Sequence, residues 1–210
     1  MRVLSYGERA LLVECADPAE VAALHAELLR RRAEGTLPAV EDIVPAERTV
    51  LLDGLADPAQ LSHLAATLPG WVLPAAPTGG GRTVELAVHY TGPDLAEVAA
   101  AWNVPESEVA AIHAAPEYRV AFCGFSPGFA YLTGLPERYQ LPRRPTPRTS
   151  VPSGSVAVAG PYTGVYPRES PGGWHLIGST DAELWDLGRD EPALLTPGTI
   201  VRFTPVAPGS

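Results

Sequence analysis

The chain has 210 residues, enough for one large domain or two small ones, and 46% of them are hydrophobic, so a buried core is expected. Its 24 acidic residues outnumber 15 basic ones for a net charge of −9, which speaks against a general binder of nucleic acid or anionic membrane. All 15 basic residues are arginine; without lysine there is no P-loop lysine, no Schiff-base lysine and no residue on this chain to carry biotin.

Val3-Leu4 and Ala10 to Val13 read as two short strands around Gly7-Glu8. Asp17-Pro18-Ala19-Glu20 then opens a helix: Asp17 caps free N–H groups, Pro18 suits the first turn and Glu20 completes a capping box. Val21, Leu24 and Leu28 form its apolar stripe, and Arg30 to Arg32 complement its negative C-terminal end before Gly35. The pattern repeats with strands at Val40 to Val44 and Thr49 to Leu52, a helix opened by Asp57-Pro58-Ala59-Gln60 and striped by Leu61, Leu64 and Leu68, and a last strand near Trp71 to Leu73. That order is the ferredoxin-like, split βαβ arrangement.

Pro74 to Gly81 is the best linker, so the expected division is residues 1–74, a linker over 75–81 and a second domain over 82–210. Its glycines lack the Lys-Ser/Thr that a phosphate loop needs. In the second part, Val84, Leu86 and Val88 alternate with polar residues as a half-buried strand. Helices are expected around Asp94 to Ala101 and Pro105 to His113, and strands at Tyr118 to Cys123, Val156 to Ala159, His175 to Gly178 and Ile200 to Phe203. The intervening Pro- and Gly-rich stretch is interrupted by aromatics, which suits shaped loops between short strands and a barrel or closed sheet.

The 31 residues from Arg138 to Arg168 hold five arginines (138, 143, 144, 148 and 168) and no acid. Arg143, Arg144 and Arg148 sit among Pro142, Pro145 and Pro147, so stiffly mounted guanidinium forks either bind a carboxylate or phosphate, or pair with the protein's own acids. Gly124-Phe125-Ser126-Pro127-Gly128-Phe129 superficially resembles a nucleophile elbow, but Pro127 stands where a free N–H is needed; a tight turn with two aromatic anchors fits better. The five histidines lack zinc spacing, so no metal is expected, and His113 and His175 are the better acid–base candidates. Cys15 and Cys123 read as buried thiols. With no secretory core at the start and no stretch near the ~18 apolar residues of a membrane span, the expected location is the cytoplasm.

The run from His113 through Tyr118, Gly-Phe-Ser-Pro-Gly-Phe-Ala-Tyr-Leu, Leu141-Pro142-Arg143, Pro147-Arg148, Val151 to Val156 and Ser170-Pro171-Gly172-Gly173-Trp174 resembles the family of the 5-oxoprolinase B subunit, also described as allophanate hydrolase subunit 1 and including Kip-type inhibitors of a sporulation kinase. The resemblance implies an α+β protein, a ferredoxin-like N-terminal domain followed by a cyclophilin-like β-barrel. It implies partners, the C subunit (allophanate hydrolase subunit 2-like), together with which the site is formed, and the A subunit of 5-oxoprolinase, with which ATP (with Mg) drives opening of 5-oxo-L-proline to L-glutamate. On the matching positions it implies His113, Arg143 and Arg148 as catalytic residues. The small carboxylate substrate would be lined by Phe125, Phe129, Tyr131, Ser155, Thr163, Tyr166, Ser170, Gly172, Gly173 and Trp174. Two rivals come with the same resemblance: a non-catalytic inhibitor that docks on a histidine kinase, and an allophanate hydrolase or urea carboxylase-type carboxyltransferase subunit. Tyr162, Ser179 and Thr199 stand where the family more often has Gln, Arg and Asp.

Overall fold

The computed structural model describes residues 1–75 and 81–206, and the chain divides into two units, Met1–Gly80 and Gly81–Ser210. Of the expected linker, residues 76–80 lie outside the described residues.

The first unit runs β1 (Arg2–Ser5), β2 (Leu11–Glu14), α1 (Pro18–Ala33), β3 (Asp42–Pro45), β4 (Thr49–Asp53) and α2 (Pro58–Thr67). The Asp17 carboxylate accepts from the Glu20 N–H at 2.8 Å, and the Glu20 carboxylate reaches back to the Ala16 N–H at 2.6 Å, which fixes where α1 begins. Asp57 takes the Ala59 N–H at 2.8 Å and starts α2 in the same way. Val21, Leu24 and Leu28 of α1 and Leu64 of α2 close over Leu11, Val13, Val50 and Leu52 of the sheet.

The sheet is antiparallel throughout in the order β1-β2-β4-β3. The crossover from β2 through α1 to β3, with β4 between, is a split βαβ core. The ferredoxin-like order also needs a strand after α2, and residues 71–73 form none. The Arg31 guanidinium lies 3.6 Å over the Trp71 ring, so this segment is tied to the helix layer. The edge beside β2 is filled by β1 instead, from the start of the chain.

The second unit runs β5 (Thr83–Val88), α3 (Leu95–Trp102), α4 (Glu106–Ala114), β6 (Tyr118–Cys123), β7 (Ala130–Thr133), β8 (Arg148–Val151), β9 (Ser155–Ala159), β10 (Tyr162–Val165), β11 (Ser170–Gly172), β12 (His175–Ser179) and β13 (Ile200–Pro205). Seven strands form one sheet in the order β12-β9-β10-β7-β6-β13-β5, and β8 and β11 form a separate ribbon. The two edges of the sheet meet where His89 and Ser179 exchange backbone hydrogen bonds of 2.8 and 2.9 Å. The sheet is therefore a nearly closed barrel, which removes most of the exposed edge a flat sheet would carry.

Strand β9 is buried along its whole length because it faces two cores. Val156 and Val158 join the barrel interior with Val84, Leu86, Val88, Val120 and Leu132. Ala157 and Ala159 face the other way, under Phe129, Val151, Tyr166, Trp174 and Leu176. Gly164 on β10 makes the outer layer possible: a Cβ there would sit 2.9 Å from the Phe129 ring and 3.0 Å from Trp174.

Candidate functional site

The proline-braced segment and the β8–β11 ribbon carry the arginines onto the outer layer of the barrel. Arg148 on β8 pairs across the ribbon with Gly172 on β11, and the Arg144 N–H donates to the Gly173 carbonyl at 2.8 Å. Both guanidinium groups then converge on one acid: Arg144 Nη1 and Arg148 Nη2 donate to Asp94 Oδ1 at 2.9 and 2.6 Å, and Arg144 also reaches Glu97. The other Asp94 oxygen accepts the Leu176 N–H at 2.7 Å.

Asp94 immediately precedes α3, yet its side chain does not cap that helix; the carboxylate is diverted to the arginines and β12. It is 3% exposed. Burial by itself pushes its carboxyl up. The Arg148 hydrogen bond, the Leu176 N–H and the two guanidinium charges outweigh that and hold it below the usual carboxylate range.

The arrangement leaves buried polar atoms over. Among the described residues, Arg144 Nε, Arg148 Nη1 and His175 Nδ1 are buried without a hydrogen-bond partner. His175 Nε2 faces the Pro142 carbonyl at 3.0 Å, and Nδ1 lies 3.7 Å from a Glu97 oxygen. The exposed Arg143 guanidinium makes no ion pair or hydrogen bond to a described residue. Buried polar groups are satisfied in the great majority of native structures, by ordered water where the protein offers nothing, so the two guanidinium nitrogens mark a place where a water or a ligand supplies the acceptor.

Tyr166 connects these cations to the aromatic layer. Its ring meets Phe129 edge-on at 5.3 Å and Phe125 at 6.3 Å. Its Oη abuts Gly172 so closely that a Cβ there would lie 2.2 Å away. Burial pushes the phenol up, while the nearby Arg143 and Arg148 charges pull it down. Phe129 and Tyr131 each pack edge-on against Trp174, at 5.5 and 5.6 Å. Arg143, Arg148, Tyr166 and Gly172 thus share one wall with Phe125, Phe129, Tyr131 and Trp174. Guanidinium forks beside a phenol suit an oxyanion such as a carboxylate.

Two residues expected at the site are elsewhere. His113 is completely buried inside the barrel, with Nδ1 2.7 Å from the Tyr90 hydroxyl and Nε2 3.2 Å from Thr163 Oγ1. Burial lowers its pKa to about 3, so the ring is neutral at physiological pH. Thr163 faces the same interior and is itself fully buried. Sequence spacing puts His113 next to the Pro/Gly/Arg-rich stretch; the barrel wall separates them. Ser155 and Ser170 lie nearer the ribbon but donate to the backbone carbonyls of Pro152 and Arg168, at 2.7 and 3.4 Å, and Gly173 contributes its carbonyl to Arg144.

Ser126 lies in the tight turn expected for it, and its buried Oγ has no partner. His113 and His175 bond elsewhere, so neither activates it. Burial pushes both Cys15 and Cys123 thiols up to about 11, which makes them poor nucleophiles. Among the described residues no cluster of three or more metal-type ligands forms, and no helix is long and apolar enough to cross a membrane. Asp94 and Glu97 are the residues that sequence reasoning missed. The available signal was the acid-free arginine window, which demands counter-ions from a distant part of the chain.

Residues 1–195 match the family described as carboxyltransferase domain, subdomain C and D. The chain is 53% identical over 131 residues to the 5-oxoprolinase B subunit of Escherichia coli O157:H7, a match that covers 61% of this chain and 60% of that protein. It is 46% identical over 126 residues to the 5-oxoprolinase B subunit of Haemophilus influenzae, covering 59% of each. The alignments thus span about 60% of those relatives' length. The crystal structure of TTHA0988 aligns with a TM-score of 0.77 at 37% identity, covering 95% of this chain and 40% of the longer TTHA0988 chain.

Proposed function

This chain belongs to the carboxyltransferase domain, subdomain C and D, family, and from that membership we propose that it is one component of a 5-oxoprolinase-type complex whose Arg143–Arg148–Tyr166 wall grips the carboxylate of 5-oxo-L-proline while the lactam is opened to L-glutamate. The single observation that carries this is Arg148 Nη1: a buried guanidinium donor with no acceptor, beside an uncommitted Arg143 and a phenol. Arg144 and Arg148 are held by Asp94 in fixed orientations, so a carboxylate meets donors already in place and little side-chain entropy is lost on binding. The aromatic layer supplies an apolar bed for the ring. Names of the relatives at 46–53% identity agree with this substrate and with work in a multi-subunit assembly.

Opening an unstrained lactam is uphill, and the ATP-driven step is assigned to the partner chains, the A and C subunits. The acids on this wall that would hold Mg²⁺, Asp94 and Glu97, are already engaged by Arg144 and Arg148, so the donor set here fits an anion and not a metal–nucleotide complex. This chain's contribution is binding, orientation and charge compensation.

The test is steady-state kinetics of the reconstituted complex. A hydrogen bond to a charged group is worth about 1.5–3 kcal/mol, so Arg148→Ala is expected to raise KM for 5-oxo-L-proline by ~10- to 100-fold. Arg143→Ala is expected to raise it less, because that group is exposed. Arg148→Lys is not expected to restore binding, since an ammonium cannot serve Asp94 and the substrate in the same planar fork. Unchanged KM and kcat in both alanine variants would refute the assignment.

A further inference from the structure

Among the described residues, the large apolar side chains that the second unit exposes are Phe125, Trp185 and Leu187. Phe125 has a φ of +70°, and the Ser126 N–H donates to the Gly124 carbonyl at 2.9 Å. This is the rarer, strained form of the γ-turn, and it presents an aromatic ring that is 59% exposed. Strain at a bulky non-glycine residue persists where the surroundings impose it and function uses it. The same loop continues through Gly128, where a Cβ would lie 2.9 Å from the Cβ of Trp185, so the two loops pack directly against each other.

Two residues beyond Trp185, Leu187 is 79% exposed on an ordered tip: Asp186 donates its N–H to Pro192 O at 3.0 Å and accepts the Gly188 N–H on its side chain at 2.8 Å. The rim is acidic. The segment from residue 181 to 191 carries Asp181, Glu183, Asp186, Asp190 and Glu191 against a single arginine, Arg189, whose guanidinium lies 3.4 Å from both Glu183 and Asp186. Clustered exposed apolar groups inside a charged rim are the usual form of a protein-docking surface.

We propose that Phe125, Trp185 and Leu187 dock a separate chain equivalent to the part of TTHA0988 that lies beyond the region matched here. In TTHA0988 the matched region is 40% of one longer polypeptide, so the remainder is covalently joined to it. Where the equivalent of that remainder is a chain of its own, as the naming of the curated relatives as subunits implies, a non-covalent surface must hold it, with an apolar centre and a basic rim on the partner's side. This rests on the multi-subunit reading above and names the face it uses.

The experiment is isothermal titration of the full chain with the protein from the same organism that matches the remainder of TTHA0988, with native mass spectrometry as a second readout. The wild type is expected to bind, more tightly at low salt. Leu187→Glu and Phe125→Glu are each expected to weaken binding at least tenfold, and Phe125→Leu much less. Val72→Glu, at a 92% exposed position of the first unit, is expected to leave it unchanged. Leu187 is so exposed that its variant keeps the test valid even if Phe125→Glu unfolds the turn. If the wild type does not bind, both the docking face and the multi-subunit reading fail. Equal binding by wild type and variants overturns the face alone, and so does a result in which the substitutions break up a homodimer of this chain.

Discussion

The interior of the barrel and its outer arginine wall use similar residue types in opposite ways. Inside, His113, Tyr90, Thr163 and Tyr118 satisfy one another: both ring nitrogens of His113 have partners, and Tyr118 donates to the His113 carbonyl at 2.8 Å. Outside, Asp94 and Glu97 gather Arg144 and Arg148 but leave buried donors over. A closed polar network specifies a packed core. An incomplete one, fixed by a buried acid, leaves guanidinium N–H groups whose acceptor is a water or a ligand.

The sharpest way to break that contrast is Asp94→Asn. It removes the shared counter-charge of two largely buried guanidinium groups, and breaking a buried pair from one side costs about 3–5 kcal/mol. Urea unfolding is expected to show a loss of that order; a loss below about 1 kcal/mol would mean that the arginines do not depend on Asp94. The same carboxylate carries a pH signature. Its folded pKa is lowered, so its stabilisation is present above the ordinary carboxylate pKa and is lost as pH falls through the lower folded value.

Gly164→Ala tests the aromatic layer. Its methyl group would press on Phe129 and Trp174, and overpacking of this kind costs about 1–3 kcal/mol. The expected result is a lower melting temperature together with weaker substrate binding, because the wall is built on those rings. An unchanged melting temperature would show that the layer yields easily.

His113 tests the interior. Its folded pKa, near 3, lies below its ordinary 6.5, so below pH 6.5 the unfolded chain takes up a proton that the fold refuses. Stability is expected to fall by at most about 1.4 kcal/mol per pH unit from this residue between those values. His113→Asn is expected to flatten that slope in pH-dependent melts; an unaltered slope would remove His113 from the account.

Much of this was legible in the residues. The Asp-Pro starts of α1 and α2 and the alternation of Val84, Leu86 and Val88 state their own local structure, because capping and period act over a few positions. The strands β7 and β8 are only four residues long and set among glycines and prolines, β10 and β11 carry Gly164, Pro171 and Gly172 themselves, and all four are held by pairing with distant partners. In the first sheet, Trp71–Leu73 is apolar enough to read as an edge strand, while β1 already holds that position. At the site, the arginine window was visible as charge without counter-charge. Its partner Asp94 lies about fifty residues away, and the inward turn of His113 depends on closure of the barrel; neither leaves a local pattern.

Arginine side-chain NMR of the chain, alone and mixed with the protein that matches the remainder of TTHA0988, during titration with 5-oxo-L-proline is the most direct measurement. The Arg148 and Arg143 guanidinium signals should shift together and saturate, and 2-pyrrolidinone, which has the lactam but no carboxylate, should leave them in place. Guanidinium signals that stay put in both forms of the protein, or that respond equally to the two lactams, would contradict a carboxylate held on this wall.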